Sequence, residues 1–353
     1  MNPRRMNERF QTLVYGTAIA LMIGWVFYIG RGVFVPIMFS VFVVYVILGL
    51  ARLIGKVPLL GPALPQLVIS ILSVLIIALG LAMVVYTVLA NKDSVIAMAP
   101  RYQESLLAAV QRVAVLMRVE AEPTWTTLRR DLLAQVSLQR VAASALASVS
   151  SLFATVIVVA LYACFLLVER SNLDVKILAI ARSPEQAQRI KQVIADINAR
   201  VGAYLALKTF LGVLLGALSY VIMRFAGLEF AGFWAVLIAL LNYVPYIGSF
   251  LSVVLPGLMG VAQFGSAGEA IQIMMSLAVV QFVIGNFLDP YVMGNSLNLS
   301  PFAILVSLAV WVALWGVPGA FLAVPITAMM TIIFSEFPGT RPIAVLLSQN
   351  GKP

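Results

Sequence analysis

LLNYVPYIGSFLSVVLPG, residues 240–257, decides how this chain is read. Its bulk composition is that of a membrane span, yet Asn242, Pro245 and Gly248 interrupt it within a few residues. Two later stretches repeat the pattern: GNFLDPYVMGNSLNLSP (285–301) and WGVPGAFLAVP (315–325). From Ala226 to Thr340 there is no Lys or Arg at all. A bilayer tolerates helix-breaking residues at depth only where protein or a water-filled cavity satisfies the freed backbone groups. Apolar sequence broken three times in this way reads as the lining of a pathway.

Composition sets the solvent. Of 353 residues, 62% are hydrophobic and 10% charged, and the mean hydropathy is +1.03. Soluble domains carry roughly 25% charged residues, so this much apolar surface needs lipid around it. Apolar runs close to 20 residues match a hydrocarbon core roughly 30 Å thick. The expected fold class is an all-α polytopic membrane protein, since the alternating 10-residue segments of a β-barrel are not seen. The net charge of +9 falls mainly at the edges of the apolar runs. It reads as topology signal and contact with anionic membrane lipids, with no nucleic acid as partner. There is no His, and the single Cys164 lies inside an apolar run. Imidazole zinc sites, thiolate metal sites and Ser-His-Asp or Cys-His catalysis therefore have no residues to use, so no enzyme is expected. Neither a metal nor a cofactor is called for.

Outward from the broken stretches, the apolar runs divide the chain. Residues 1–90 hold spans 1–3, at about 12–30, 33–50 and 66–90, with Arg4, Arg5, Arg9, Arg52 and Lys56 placing the N-terminus and the end of span 2 in the cytoplasm. Residues 91–145 then form an extracytoplasmic insertion, with Leu106, Leu107, Val110, Val113 and Met117 at helical spacing. Span 4 covers 146–168. A cytoplasmic amphipathic helix within 169–200 starts at Ser183-Pro184-Glu185-Gln186 and runs on into span 5, about 201–223. Residues 201–340 form the transport core with broken helices, and 341–353 a C-terminal tail. The runs at 230–263 and 302–335 are each either two short spans or a re-entrant hairpin, for about eight transmembrane helices in all.

The breaks supply the candidate site. Asn242, Pro245, Tyr246, Gly248 and Ser249 form one cluster. The Asn242 amide both donates and accepts, which suits a hydroxylated solute, or a dehydrated cation if carbonyls join it. Asn286 and Asp289 mark the second break. A carboxylate ending an apolar run is costly, and Asp289 is the candidate for ion coupling. Trp315, Gly316 and Pro318 mark the third, with Trp315 placed to stack on a solute. Lys208 lies about two turns inside span 5 and must face a cavity, a partner or the interface. Gly212-x-x-x-Gly216 on the same span permits close helix approach, within the chain or between subunits.

FAGFWAVLIALLNYVPYIGSFLSVVLP (230–256), NFLDPYVMGNSLNLSP and WVALWGVPGAFLAVP, in that order, resemble the autoinducer-2 exporter (AI-2E) family of membrane permeases. FLLVERSNLDVKI (165–177) and LKTFLGVLLGALSY in span 5 are similar too. The resemblance implies about eight spans, hairpins in the C-terminal half, a homo-oligomer in the bacterial inner membrane, and export of a small solute. Some relatives are linked to autoinducer-2, while others look like sodium- or lithium-proton antiporters. This leaves three readings: gradient-driven export of a small hydroxylated solute such as autoinducer-2, monovalent cation/proton antiport through Asp289, and a non-transporting oligomeric scaffold.

Overall fold

The computed structural model describes residues 3–55, 64–91 apart from 84 and 88, 97, 155–293 and 297–352. Apart from residues 91 and 97, the insertion expected at 91–145 lies outside these, as does the start of span 4. Among the described residues there is no β-strand, only an isolated antiparallel bridge from Leu299 to Ser348. The chain is an all-α polytopic membrane protein. Its helices are α1 (Pro3–Ile29), α2 (Arg31–Gly55), α3 (Gln66–Asn91), α4 (Thr155–Glu169), α5 (Leu173–Ile180), α6 (Pro184–Phe225), α7 (Ala231–Leu241), α8 (Ile247–Phe264) and α9 (Ala267–Val283). A five-residue π-helical segment, Ile284–Leu288, leads into α10 (Asp289–Met293). Then come α11 (Pro301–Trp315), α12 (Val317–Glu336) and α13 (Arg341–Leu347). Among the described residues, six helical stretches are long and apolar enough to cross a bilayer, or seven if α4 and α5, bent by 70° at Arg170–Asn172, count as one broken span.

The start of α6 reflects its local sequence. Ser183 Oγ accepts the Gln186 N–H at 3.2 Å, Pro184 fills the first helical position, and the Gln186 side chain takes the Arg182 N–H at 2.8 Å. Nothing then interrupts the helix for 42 residues.

Two compact units divide the chain, and they cut across its linear order. The first comprises Met1–Val44, Ile157–Val201 and Leu297–Pro353. Its centre is the hairpin of α11 and α12. Gly316 makes the turn at φ +68° and ψ −139°, a conformation that glycine alone adopts readily. A Cβ on Gly319 would lie 1.9 Å from the Trp311 carbonyl oxygen, so the two helices meet backbone to backbone. The base of the hairpin is tied down at both ends. Ser300 N–H donates to Leu347 O at 2.9 Å, and Arg189 grips Glu336 at its carboxylate (2.9 Å) and its carbonyl (2.6 Å).

The second unit comprises Tyr45–Val156 and Gly202–Ser296. Here α6, α7, α8 and α9 pack around Leu211, Leu215, Met223, Ile238, Met259, Ile273 and Leu277, all buried. Helices α6 and α7 run antiparallel at close range. A Cβ on Gly212 would stand 2.9 Å from Ala239 O, and one on Gly216 2.8 Å from Ala235 O. The small-residue spacing in span 5 thus serves packing within the chain. Helix α8 returns alongside: the Gln263 amide accepts the Glu229 N–H at 2.7 Å and donates to Gly227 O at 2.8 Å. Both ends of the α7–α8 pair therefore sit at the Phe225 end of α6, so the pair is a helical hairpin in which α8 is long enough to cross a bilayer and α7 is not. With 11 residues, α7 reaches only about 16 Å down the side of α6.

Overpacking a filled interface costs about 1–3 kcal/mol. Gly212→Ala and Gly216→Ala should each lower the Tm of the purified protein by that equivalent. Gly232→Ala, where an added Cβ meets nothing within 4 Å, should not. Thermal unfolding in detergent reads the difference.

Candidate transport site

The tip of the α7–α8 hairpin is residues 242–246. Helix α7 stops where Asn242 N–H still reaches Ile238 O, and Val244 N–H turns back to Leu241 O at 2.9 Å. Pro245 then forces a tight turn. Ile247 N–H bonds Pro245 O at 2.6 Å across Tyr246, which sits at φ 62° and ψ −60°. That is a γ-turn of the rare positive-φ form, costing on the order of 1–3 kcal/mol for a residue with a Cβ. Gly248 is fixed by contact, since a Cβ there would lie 1.9 Å from Leu241 O.

Against this tip lies one stripe of α6. Thr209 Oγ1 and Tyr243 Oη are 2.6 Å apart, and the Asn242 amide nitrogen lies beside Gly212. Asn242 is only 8% exposed, and its Nδ2 has no hydrogen-bond partner among the described residues. Lys208, one turn from Gly212, meets the second break. Its Nζ donates to Asp289 Oδ2 at 2.8 Å, with the two side chains 11% and 23% exposed. The other carboxylate oxygen, Oδ1, is buried without a partner among the described residues. Tyr204, one turn further along α6, is buried. Two turns of α6 are therefore lined by a largely buried ion pair from Lys208 to Asp289, the unfilled Oδ1 of Asp289 and the unfilled amide of Asn242.

The other predicted residues separate. Ser249 accepts from Gln281 Nε2 at 3.0 Å, holding the start of α8 to α9, while Gln281 Oε1 is buried and unpartnered. Tyr246 is exposed. Asn286 is exposed too, and its amide donates to Phe282 O at 3.1 Å. Trp315, Gly316 and Pro318 belong to the other compact unit, at the α11–α12 turn. The Trp315 ring packs on Phe27 and Trp311, and its indole N–H donates to Phe27 O at 3.0 Å, so its polar edge is occupied. The first two breaks come together on α6. The third lies in the first compact unit.

Sequence reasoning singled out Lys208 for its depth but did not pair it with Asp289, 81 residues away. The available signal was charge bookkeeping: one cation within span 5 and one anion ending an apolar run. Thr209, Tyr243 and Gln281 carried no signal, being ordinary residues until the fold brings them together.

A polytopic helical protein with broken helices meeting at a buried ion pair has the construction of a membrane transporter. Comparison with known proteins agrees. The model of the AI-2E family transporter matches residues 17–339. YhhT of Escherichia coli (strain K12) is 29% identical over 284 residues, 79% of each chain. The AI-2 transport protein TqsA of the same organism is 28% identical over 254 residues, 72% of each chain. The chain belongs to the AI-2E family of transporters, multi-pass proteins of the bacterial inner membrane.

Removing one partner of a buried pair strands the other charge, which costs on the order of 2–4 kcal/mol at this partial burial. Lys208→Met and Asp289→Leu should each lower the Tm, and the double variant should recover most of the loss. Equal, additive losses measured by thermal unfolding would show that the contact is not formed.

Proposed function

We propose that the protein exports a small hydroxylated solute, autoinducer-2 or a molecule like it, and that the Lys208–Asp289 pair couples this movement to an ion gradient. The observation that carries the reading is the ion pair held inside apolar helices beside an unpartnered amide. A charge pair at such depth brings no advantage to packing, because well-packed apolar residues of similar size would serve stability as well or better. Its retention fits a group that changes partners during transport. The unfilled Asn242 Nδ2 offers a donor and the unfilled Asp289 Oδ1 an acceptor, a set that matches hydroxyl groups. The similarity to TqsA, a protein named for AI-2 transport, supports the same chemical class.

The free Asp289 Oδ1 favours a second reading, monovalent cation/proton antiport. A sodium or lithium ion would there compete with the Lys208 ammonium for the carboxylate.

Purified protein in liposomes, assayed for autoinducer-2, sodium and proton flux, separates the two. Solute export should depend on an imposed ion gradient and fall at least about tenfold in Asn242→Ala and Asp289→Asn, the scale expected for loss of a buried hydrogen bond or charge. Sodium-dependent proton flux without solute movement, abolished in Asp289→Asn, would replace export with antiport. No flux of any kind in the wild-type protein would leave the scaffold role instead.

A further inference from the structure

The geometry points to Asn286 as a positioning residue: its side chain holds a π-helical turn that aims Asp289 at Lys208. The inference rests on the reading of Asp289 as the coupling carboxylate. It begins with helix period. At about 100° per residue, a regular α-helix through Leu277 of α9 would carry Asp289 about 120° away from Leu277, off the buried face. Leu277 and Ile284 mark that face, at 2% and 3% exposed. The segment Ile284–Leu288 is π-helical, however, and Asp289 N–H bonds Ile284 O, five residues back. One extra residue is absorbed in that turn, so Asp289 falls about 20° from Leu277 instead. The ion pair thus depends on a one-residue defect in the helix.

Such a turn disturbs the main-chain bonds around it, and the residues here answer that need. Pro290 has no N–H to give to a carbonyl of the preceding turn. The Asn286 amide donates to Phe282 O at 3.1 Å, in the turn where the α and π registers meet. Asn286 itself points away from the interior and is exposed, so it supplies this hydrogen bond and makes no contact with Lys208. Its effect on Asp289 is exerted through the backbone. Gly285, beside it, is exposed with nothing within 4 Å of an added Cβ, so the extra residue sits where the helix has room for it.

Full-length protein carrying Asn286→Ala, a deletion of Gly285, or both tests the assignment. The readouts are the Tm and the coupling between Lys208 and Asp289, taken from a double-mutant cycle in each background. Asn286→Ala should lower the Tm by about 1–3 °C and weaken the Lys208–Asp289 coupling by about half or more. Deleting Gly285 makes the helix regular and leaves Asp289 in its present orientation, so the coupling should persist. In that background Asn286→Ala should change neither readout. Asn286→Ser, able to bond a carbonyl one turn back, should restore the coupling in the full-length helix. Coupling unaffected by Asn286→Ala, or an equal loss in both backgrounds, would overturn the assignment. Should the deletion variant fail to fold, the comparison of Asn286→Ala with Asn286→Ser decides alone. Unchanged flux in Asp289→Asn would remove the transport role of the pair without touching this result, because the cycle is read on stability.

Discussion

Within a bilayer no water waits to satisfy a charge or an open backbone group, so each must be met by protein. In this chain the demand concentrates on the contact between Lys208 Nζ and Asp289 Oδ2. That contact needs α6 to run unbroken past its middle, and it needs the segment after α9 to be turned out of regular helical phase. It also needs an apolar helical frame dry enough for the attraction to matter. The rest of the second compact unit can be understood as the scaffold that makes that contact possible.

The α7–α8 hairpin shows how the same demand shapes backbone. Its tip leaves regular helix for five residues, yet Leu241 O, Val244 O and Pro245 O all find donors within the turn. Small residues do the rest: Gly212 and Gly216 admit α7 against α6, and Gly248 admits α8 against the end of α7. The positive φ of Tyr246 is the strain left over, and it lies at the tip where α7 and α8 join. The α11–α12 hairpin solves its own turn differently, with Gly316 in a conformation open to glycine and Trp315 tied to a carbonyl of α1.

Much of this was legible in the sequence, for physical reasons. Hydropathy and run length pointed to an all-helical membrane protein, because lipid imposes composition directly. Ser183-Pro184 marked the start of α6, because capping is local chemistry. The breaks at 242–249 and 286–290 were visible because polar Asn or Asp stands there beside Pro within apolar sequence, whereas Pro36, Pro256 and Pro325, without such neighbours, stay inside helices. The features that escaped the sequence were long-range or a matter of phase. Pairing of Lys208 with Asp289 is invisible to any local pattern. The π turn that makes the pairing possible is a one-residue shift that hydrophobic periodicity is too coarse to show. The linear expectation of a single core over 201–340 also met a chain whose compact units interleave, with 202–296 in one and the third break in the other.

If the transported species and the Lys208 ammonium compete at Asp289, the chemical accessibility of that carboxyl group reports it most directly. A hydrophobic carbodiimide modifies membrane carboxyl groups, and peptide mass spectrometry reads the extent at Asp289 alone. Autoinducer-2 or sodium, whichever the protein carries, should slow modification of Asp289, and Lys208→Met should alter the rate in the absence of either. Modification at one rate with and without both species, in wild-type protein and in Lys208→Met alike, would contradict it.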